Sequence, residues 1–108
     1  MELTRDFKET INARVKKDAE FAKALLDEAI NLFLNGESET ARLILRELVN
    51  ATVGFEELAQ ETSKSSKNLH RMLSAKGNPT MDNLGVILKA LSKKLNIVIQ
   101  IHTESICS

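Results

Sequence analysis

Residues 55–95, FEELAQETSKSSKNLHRMLSAKGNPTMDNLGVILKALSKKL, decide how this chain is read. Leu58 and Ala59 are apolar neighbours on a first short helix, and the small Ala59 leaves room for another helix to cross closely above it. Leu69, Met72 and Leu73 recur at i, i+3 and i+4, the buried stripe of a second short helix over 66–74. The opposite side of that helix carries Ser66, Lys67, His70, Arg71 and Ser74. A loop, Ala75-Lys76-Gly77-Asn78-Pro79, follows it. Thr80 then suits an N-cap, because its side-chain oxygen can take an orphan backbone N–H, and the third helix buries Leu84, Ile87, Leu88 and Leu91. Three short helices around two tight connections, with polar and basic groups gathered on one face of the middle helix, are the layout of a helix-turn-helix reader of DNA.

Upstream, Phe7, Ile11 and Val15 are spaced four apart and predict an amphipathic helix over 3–17. Asp18 is placed to cap a second helix to about residue 35, with Phe21, Leu25, Ala29 and Phe33 on one face. Leu26, Ile30 and Leu34 widen that face enough for two neighbours, and Gly36 supplies the stop. A third helix over 38–52 turns Ala41, Leu45, Leu48 and Val49 inward with Leu43 or Ile44, until Val53-Gly54 breaks it. After Asn96 the period changes to two. Ile97, Ile99 and Ile101 share one face and Val98, Gln100 and His102 the other, which predicts a strand. A lone strand cannot satisfy its own backbone groups, so the expectation is pairing with the same strand of a second copy across a two-fold axis. The alternative is an extended tail lying on its own helices. The expected class is all-α: about six helices with a C-terminal β-strand, in one domain over 1–108 (N-terminal helices 1–54, helix-turn-helix region 55–95, strand and tail 96–108).

Composition agrees with that class. The chain has 108 residues and 43% hydrophobic content, enough for one modest core, built mostly from aliphatic side chains because only four aromatics are present. Four Gly and one Pro favour helices over an all-β fold with many turns. The net charge of zero gives no bulk pointer to nucleic acid, but its distribution is uneven. Residues 1–50 hold eight Lys or Arg against ten Asp or Glu, whereas residues 63–94 hold seven against Asp82 alone. That asymmetry suits a localised phosphate-contacting surface and equally arises by chance in a small protein. The single Cys107 fits a reducing compartment. MELTRDFKET is charged and lacks the apolar run of a secretory signal, and no stretch approaches the roughly 20 apolar residues of a spanning helix. The expected location is cytoplasmic, with no membrane partner. Asn50-Ala51-Thr52 is then an accidental glycosylation sequon.

On the expected reader face, Arg71 is the foremost base-contacting candidate, since its planar fork pairs bidentately with guanine. Lys67 can reach guanine or a phosphate. Ser66 and Asn68 are short hydrogen-bonding groups at the helix entry, with Asn68 also able to point sideways to the backbone. Lys64 and Lys76 flank the helix in loops, where phosphate contact is the expected role and an ordinary solvated charge the plain alternative. His70 lacks any Cys, Asp or second His at ligand spacing. It reads first as a polar surface residue and next as a DNA contact. No metal site, cofactor site, nucleophile–base pair or phosphate-cradling Gly loop is recognisable, so an enzyme is not expected.

The spacing of Leu58-Ala59, Ser65, Leu69, Met72 and Pro79 resembles the phage-repressor-type (XRE) helix-turn-helix family, which has a lambda-repressor-like fold. More narrowly, the runs Leu69-His70-Arg71-Met72-Leu73-Ser74 and Gly77-Asn78-Pro79-Thr80 look like the HigA-like addiction-module antidote (antitoxin) proteins. The resemblance covers about 50 residues strongly and the N-terminal helices loosely. It implies a homodimeric antitoxin of a type II toxin-antitoxin module that represses its own operon at an inverted-repeat operator in double-stranded DNA. It also implies binding of a RelE/HigB-type toxin, with the more acidic N-terminal helices as the candidate docking surface. Carried over by position, the base-reading residues are Ser66, Lys67 and Arg71, with Ser65 and Lys76 near phosphates. Three departures stand out. Phe55 takes the place of a phosphate-contacting Gln, Ser63 that of a turn Gly, and Leu73 that of a common Glu. The alternatives are a stand-alone repressor and a protein-interaction module that no longer binds DNA.

Overall fold

The computed structural model describes residues 5–106. Six helices follow in order: α1 Arg5–Lys17, α2 Ala19–Leu34, α3 Ser38–Ala51, α4 Phe55–Thr62, α5 Ser66–Met72 and α6 Met81–Leu95. The start expected at residue 3, the side chain of Phe7 and Cys107 lie outside the described residues.

Local chemistry explains the boundaries. The Asp18 carboxylate accepts from the Glu20 and Phe21 N–H groups at 3.1 and 3.3 Å, and Thr80 Oγ1 accepts from the Asn83 N–H at 3.1 Å. At the end of α2, Gly36 takes φ +85°, which lets the Glu37 N–H reach back to the Leu32 carbonyl at 2.8 Å and the Gly36 N–H to Phe33 at 3.3 Å. These are the paired bonds of a Schellman ending. Asn96 ends α6 in the same way at φ +57°, with the Ile97 N–H on the Ser92 carbonyl at 3.0 Å.

One contiguous core runs from Ile11 of α1 to Leu91 of α6. α2 buries Ala22, Leu26 and Ala29, while Phe21, Leu25, Ile30 and Phe33 pack half-buried at its margins. The expected wide apolar face is thus present but centred on Ala22, Leu26 and Ala29, and Leu34 falls outside it at 64% exposure. α3 supplies the most deeply buried stripe, with Ala41, Ile44, Leu45, Leu48 and Val49, so Ile44 is the inward partner rather than Leu43. In α6, Ile87 and Leu91 are fully buried, and Leu84 and Leu88 line the edge.

The expected C-terminal strand is not formed: among the described residues there is no strand, and 97–106 has no regular structure. The alternation that suggested it is nevertheless used in part. Ile97 and Ile99 pack against the core and Val98 stands 81% exposed, but Ile101, expected on the face of Ile97 and Ile99, is exposed as well. A ladder needs a second backbone, and six helices leave this tail none to pair with. No helix among the described residues is long and apolar enough to cross a membrane.

Candidate nucleic-acid interface

α4 and α5 are joined by Ser63-Lys64-Ser65. Ser63 closes α4 in the left-handed region, φ 57° and ψ 33°, and the Lys64 N–H then bonds the Ala59 carbonyl at 3.2 Å. A non-glycine residue there is disfavoured, yet the ending forms without the expected Gly. Ser65 is the N-cap of α5: its Oγ accepts from the Asn68 N–H at 3.1 Å, so its hydroxyl hydrogen is the group left to donate outward.

α5 is anchored on one side by Leu69 and Leu73, both fully buried, with Met72 half-buried beside them. The other side exposes Lys67, Asn68 and Arg71, with Ser66 half-buried at the entry. Lys76 is exposed and Lys64 half-exposed in the two flanking connections. Lys64, Ser66, Lys67, Asn68, Arg71 and Lys76 therefore gather along α5 and its two ends. Arg71 and Lys76 also line one open cleft with Met72, Gly77, Asn78, Pro79, Thr80 and Asn83, at the N-terminus of α6. Backbone N–H groups at a helix start favour an anion and the two cations add to that field, while Asp82 in the first turn of α6 opposes it.

His70 does not belong with the exposed set. Its ring stacks on Phe55, centroids 3.8 Å apart and planes 19° apart, and its Nδ1 is buried without a hydrogen-bond partner. The expectation of a polar surface residue is corrected accordingly. The helical period puts residue 70 near the polar side, but the crossing of α4 over α5 brings a buried aromatic ring against it. Phe55, which has no phosphate-contacting group, instead fixes the start of α4 against the middle of α5, a contact worth about 0.5–1.5 kcal/mol beyond the buried area.

Two residues set the far end of α5, and sequence reasoning passed over the first of them. Arg42 of α3 donates from Nε to the Ser74 carbonyl at 3.0 Å and from Nη2 to the Ala75 carbonyl at 2.7 Å. Such bonds from a charged donor contribute about 1.5–3 kcal/mol each when shielded from water. The signal was an arginine at the edge of a buried stripe, one position after Ala41 and three before Leu45. Gly77 is the other. A Cβ there would lie 2.2 Å from the Met72 carbonyl oxygen and 2.5 Å from that of Arg71, so the loop turns back against the end of α5 at a distance only glycine permits.

Among the described residues no group of three His, Cys, Asp or Glu could hold a metal ion. α4 turns Glu56, Glu57 and Glu61 to solvent, with Glu57 3.8 Å from Lys94 of α6. Comparison of the chain with protein-family models, with curated proteins and with solved structures gives no match in any of the three.

Proposed function

We propose that the chain is a sequence-specific DNA-binding regulator whose α3–α6 form a lambda-repressor-like helix-turn-helix unit, with α5 read into the major groove. The observation that carries this reading is the two-sidedness of α5. Leu69 and Leu73 root one side completely in the core, while Lys67, Asn68 and Arg71 stand free on the other between Lys64 and Lys76. In this reading Arg71, Lys67 and Ser66 meet base edges. Ser65, Lys64 and Lys76 meet phosphates, the last beside the α6 N-terminus. His70 serves as packing.

The resemblance of residues 58–80 to the HigA-like antidote proteins supports a narrower form: the antitoxin of a type II toxin-antitoxin module, cytoplasmic, repressing its own operon and binding a RelE/HigB-type toxin. A homodimer on an inverted repeat fits the tail, whose Val98, Ile101 and Ile106 are 81%, 61% and 94% exposed and whose backbone forms no ladder. The test is selection of random duplexes by the purified protein, followed by gel shifts. Arg71→Ala should weaken the selected duplex and relax base preference, whereas Lys76→Ala should weaken all duplexes alike and flatten the salt dependence by about one phosphate contact. Failure to enrich any sequence at low salt refutes the DNA reading. Co-purification with the product of the adjacent gene tests the antitoxin.

One observation favours a second reading, a protein-interaction module. The carboxylates of Glu56, Glu57 and Glu61 on the exposed face of α4 suit a basic protein better than a phosphate backbone. Stable co-elution with a basic partner and no DNA enrichment decides for it.

A further inference from the structure

We propose that Arg42, on α3 and off the exposed face of α5, is a positioning residue for base readout by Arg71; the inference rests on the DNA reading above. α5 spans only Ser66–Met72, two turns. Its two fully buried anchors, Leu69 and Leu73, lie along one line, and the contacts that oppose a roll about that line, the half-buried Met72 and the His70 stack on Phe55, carry no hydrogen bond. Apolar contacts are non-directional and resist such a roll weakly.

Arg42 adds a directional constraint to these apolar and stacking contacts. Its stem is rooted beside Ala41 and Leu45, both fully buried, and its guanidinium holds two consecutive carbonyls just past the end of α5, Ser74 at 3.0 Å and Ala75 at 2.7 Å. A planar fork on two acceptors fixes direction as well as distance. The constraint passes straight to Arg71. The Ser74 N–H and Ser74 Oγ both donate to the Arg71 carbonyl, at 3.2 and 2.8 Å, and the Gly77 N–H donates to the Ser74 carbonyl at 3.0 Å. A chain of short bonds thus runs from the core through Arg42 and Ser74 to the backbone of Arg71. A bidentate contact to guanine tolerates little angular error, so releasing this chain degrades discrimination before it degrades attraction to phosphate.

Two variants of the full chain test this, Arg42→Met and Arg42→Lys. Methionine keeps the apolar stem and removes the donors; lysine keeps the charge but its point-like ammonium does not reproduce the fork. The probes are a duplex enriched by the wild-type protein and a random duplex of equal length, each titrated from 50 to 200 mM salt. Amide hydrogen exchange at Ser74 and Gly77 is followed in parallel. Arg42→Met is expected to lose about tenfold on the enriched duplex, within the range of one degraded guanine contact. The same variant should lose less than about threefold on the random duplex at an unchanged salt slope, because no phosphate contact is removed. Arg42→Lys should fall between, and exchange at the two amides should quicken in both variants. Equal losses on both duplexes, or a slope shallower by about one, overturn the positioning role, the latter in favour of direct phosphate contact. An unchanged ratio with quickened exchange also overturns it and leaves the DNA reading standing. If the wild-type protein enriches no duplex, the reading and the inference fall together. If Arg42→Met does not fold, the ratio for Arg42→Lys decides.

Discussion

Replacing Gly77 by alanine adds one methyl group where the backbone leaves no room for it. The new Cβ would sit 2.2 Å from the Met72 carbonyl oxygen, 2.5 Å from that of Arg71 and 2.7 Å from the Met72 carbonyl carbon. Ordinary carbon–oxygen contacts are about 3.3–3.6 Å, so the loop and the end of α5 must separate by roughly 1 Å. Neither side yields cheaply. All three obstructing atoms are backbone, the Gly77 N–H is held on the Ser74 carbonyl at 3.0 Å, and Arg42 holds the Ser74 and Ala75 carbonyls from the other side. Overpacking of this kind costs about 1–3 kcal/mol, and the backbone origin of the clash puts Gly77→Ala in the upper half of that range. For a chain of this size the melting temperature should fall by roughly 10–15 °C. Gly85 provides the opposite control. It lies within α6, is exposed, and a Cβ there meets nothing within 4 Å. Gly85→Ala should therefore stabilise by about 0.5–1 kcal/mol through helix propensity alone. Thermal and urea melts followed by circular dichroism read both signs. A Gly77→Ala protein within about 0.5 kcal/mol of the parent, inside the usual scatter of harmless surface changes, refutes the close approach and with it the account of why the loop carries glycine.

Three further outcomes are expected. Ser63→Gly should raise stability by about 0.5–1 kcal/mol in the same melts, since the left-handed conformation costs a side-chain-bearing residue more than the flexibility glycine adds; destabilisation contradicts the assigned α4 ending. A double-mutant cycle with Phe55→Leu and His70→Ala should give a coupling of about 0.5–1.5 kcal/mol, and additivity within about 0.3 kcal/mol rules out the stack. Ending the chain after Asn96 should convert a dimer to a monomer in sedimentation equilibrium if the tail pairs two copies, whereas a dimer of undiminished affinity excludes the tail as its cause.

What was legible in the sequence follows from range. The Asp18 and Thr80 caps depend on groups within a turn of each other, and both appear where the spacing puts them; the period of α2 appears too, except that Leu34 falls outside its buried face. The inward residues of α3 and α6 follow from the same periodicity, because burial on a regular helix repeats every three to four residues. The tail shows the limit of that logic. Its period-two pattern sorted Ile97 and Ile99 from Val98 but failed at Ile101, which is exposed, and whether an alternating segment becomes a strand is decided by a second backbone, about which the pattern of one chain says nothing.

The candidate site divides along the same line. Lys67 and Arg71 are exposed as expected because exposure is what the polar side of a short anchored helix implies, whereas Ser66 and Ser74, expected on the same side, are half-buried. His70 has the same period and the opposite fate: Phe55 reaches it across the α4–α5 crossing, fifteen residues away in the chain, and no local pattern encodes that crossing. Arg42 bonds carbonyls 32 and 33 residues further on. Main-chain acceptors carry no sequence signature, so a side chain that caps a distant loop is invisible until the loop is seen beside it. Gly77 illustrates the converse. The Gly-Asn-Pro-Thr run is visible as a motif, and the atoms a Cβ at Gly77 would strike give a physical reason for its glycine. The exposed groups of a binding helix can therefore be read from its own two turns, whereas the groups that hold those turns at a fixed angle come from elsewhere in the fold. Substitutions at Arg42, Phe55 and Gly77 should accordingly disturb α5 as much as substitutions on its exposed face.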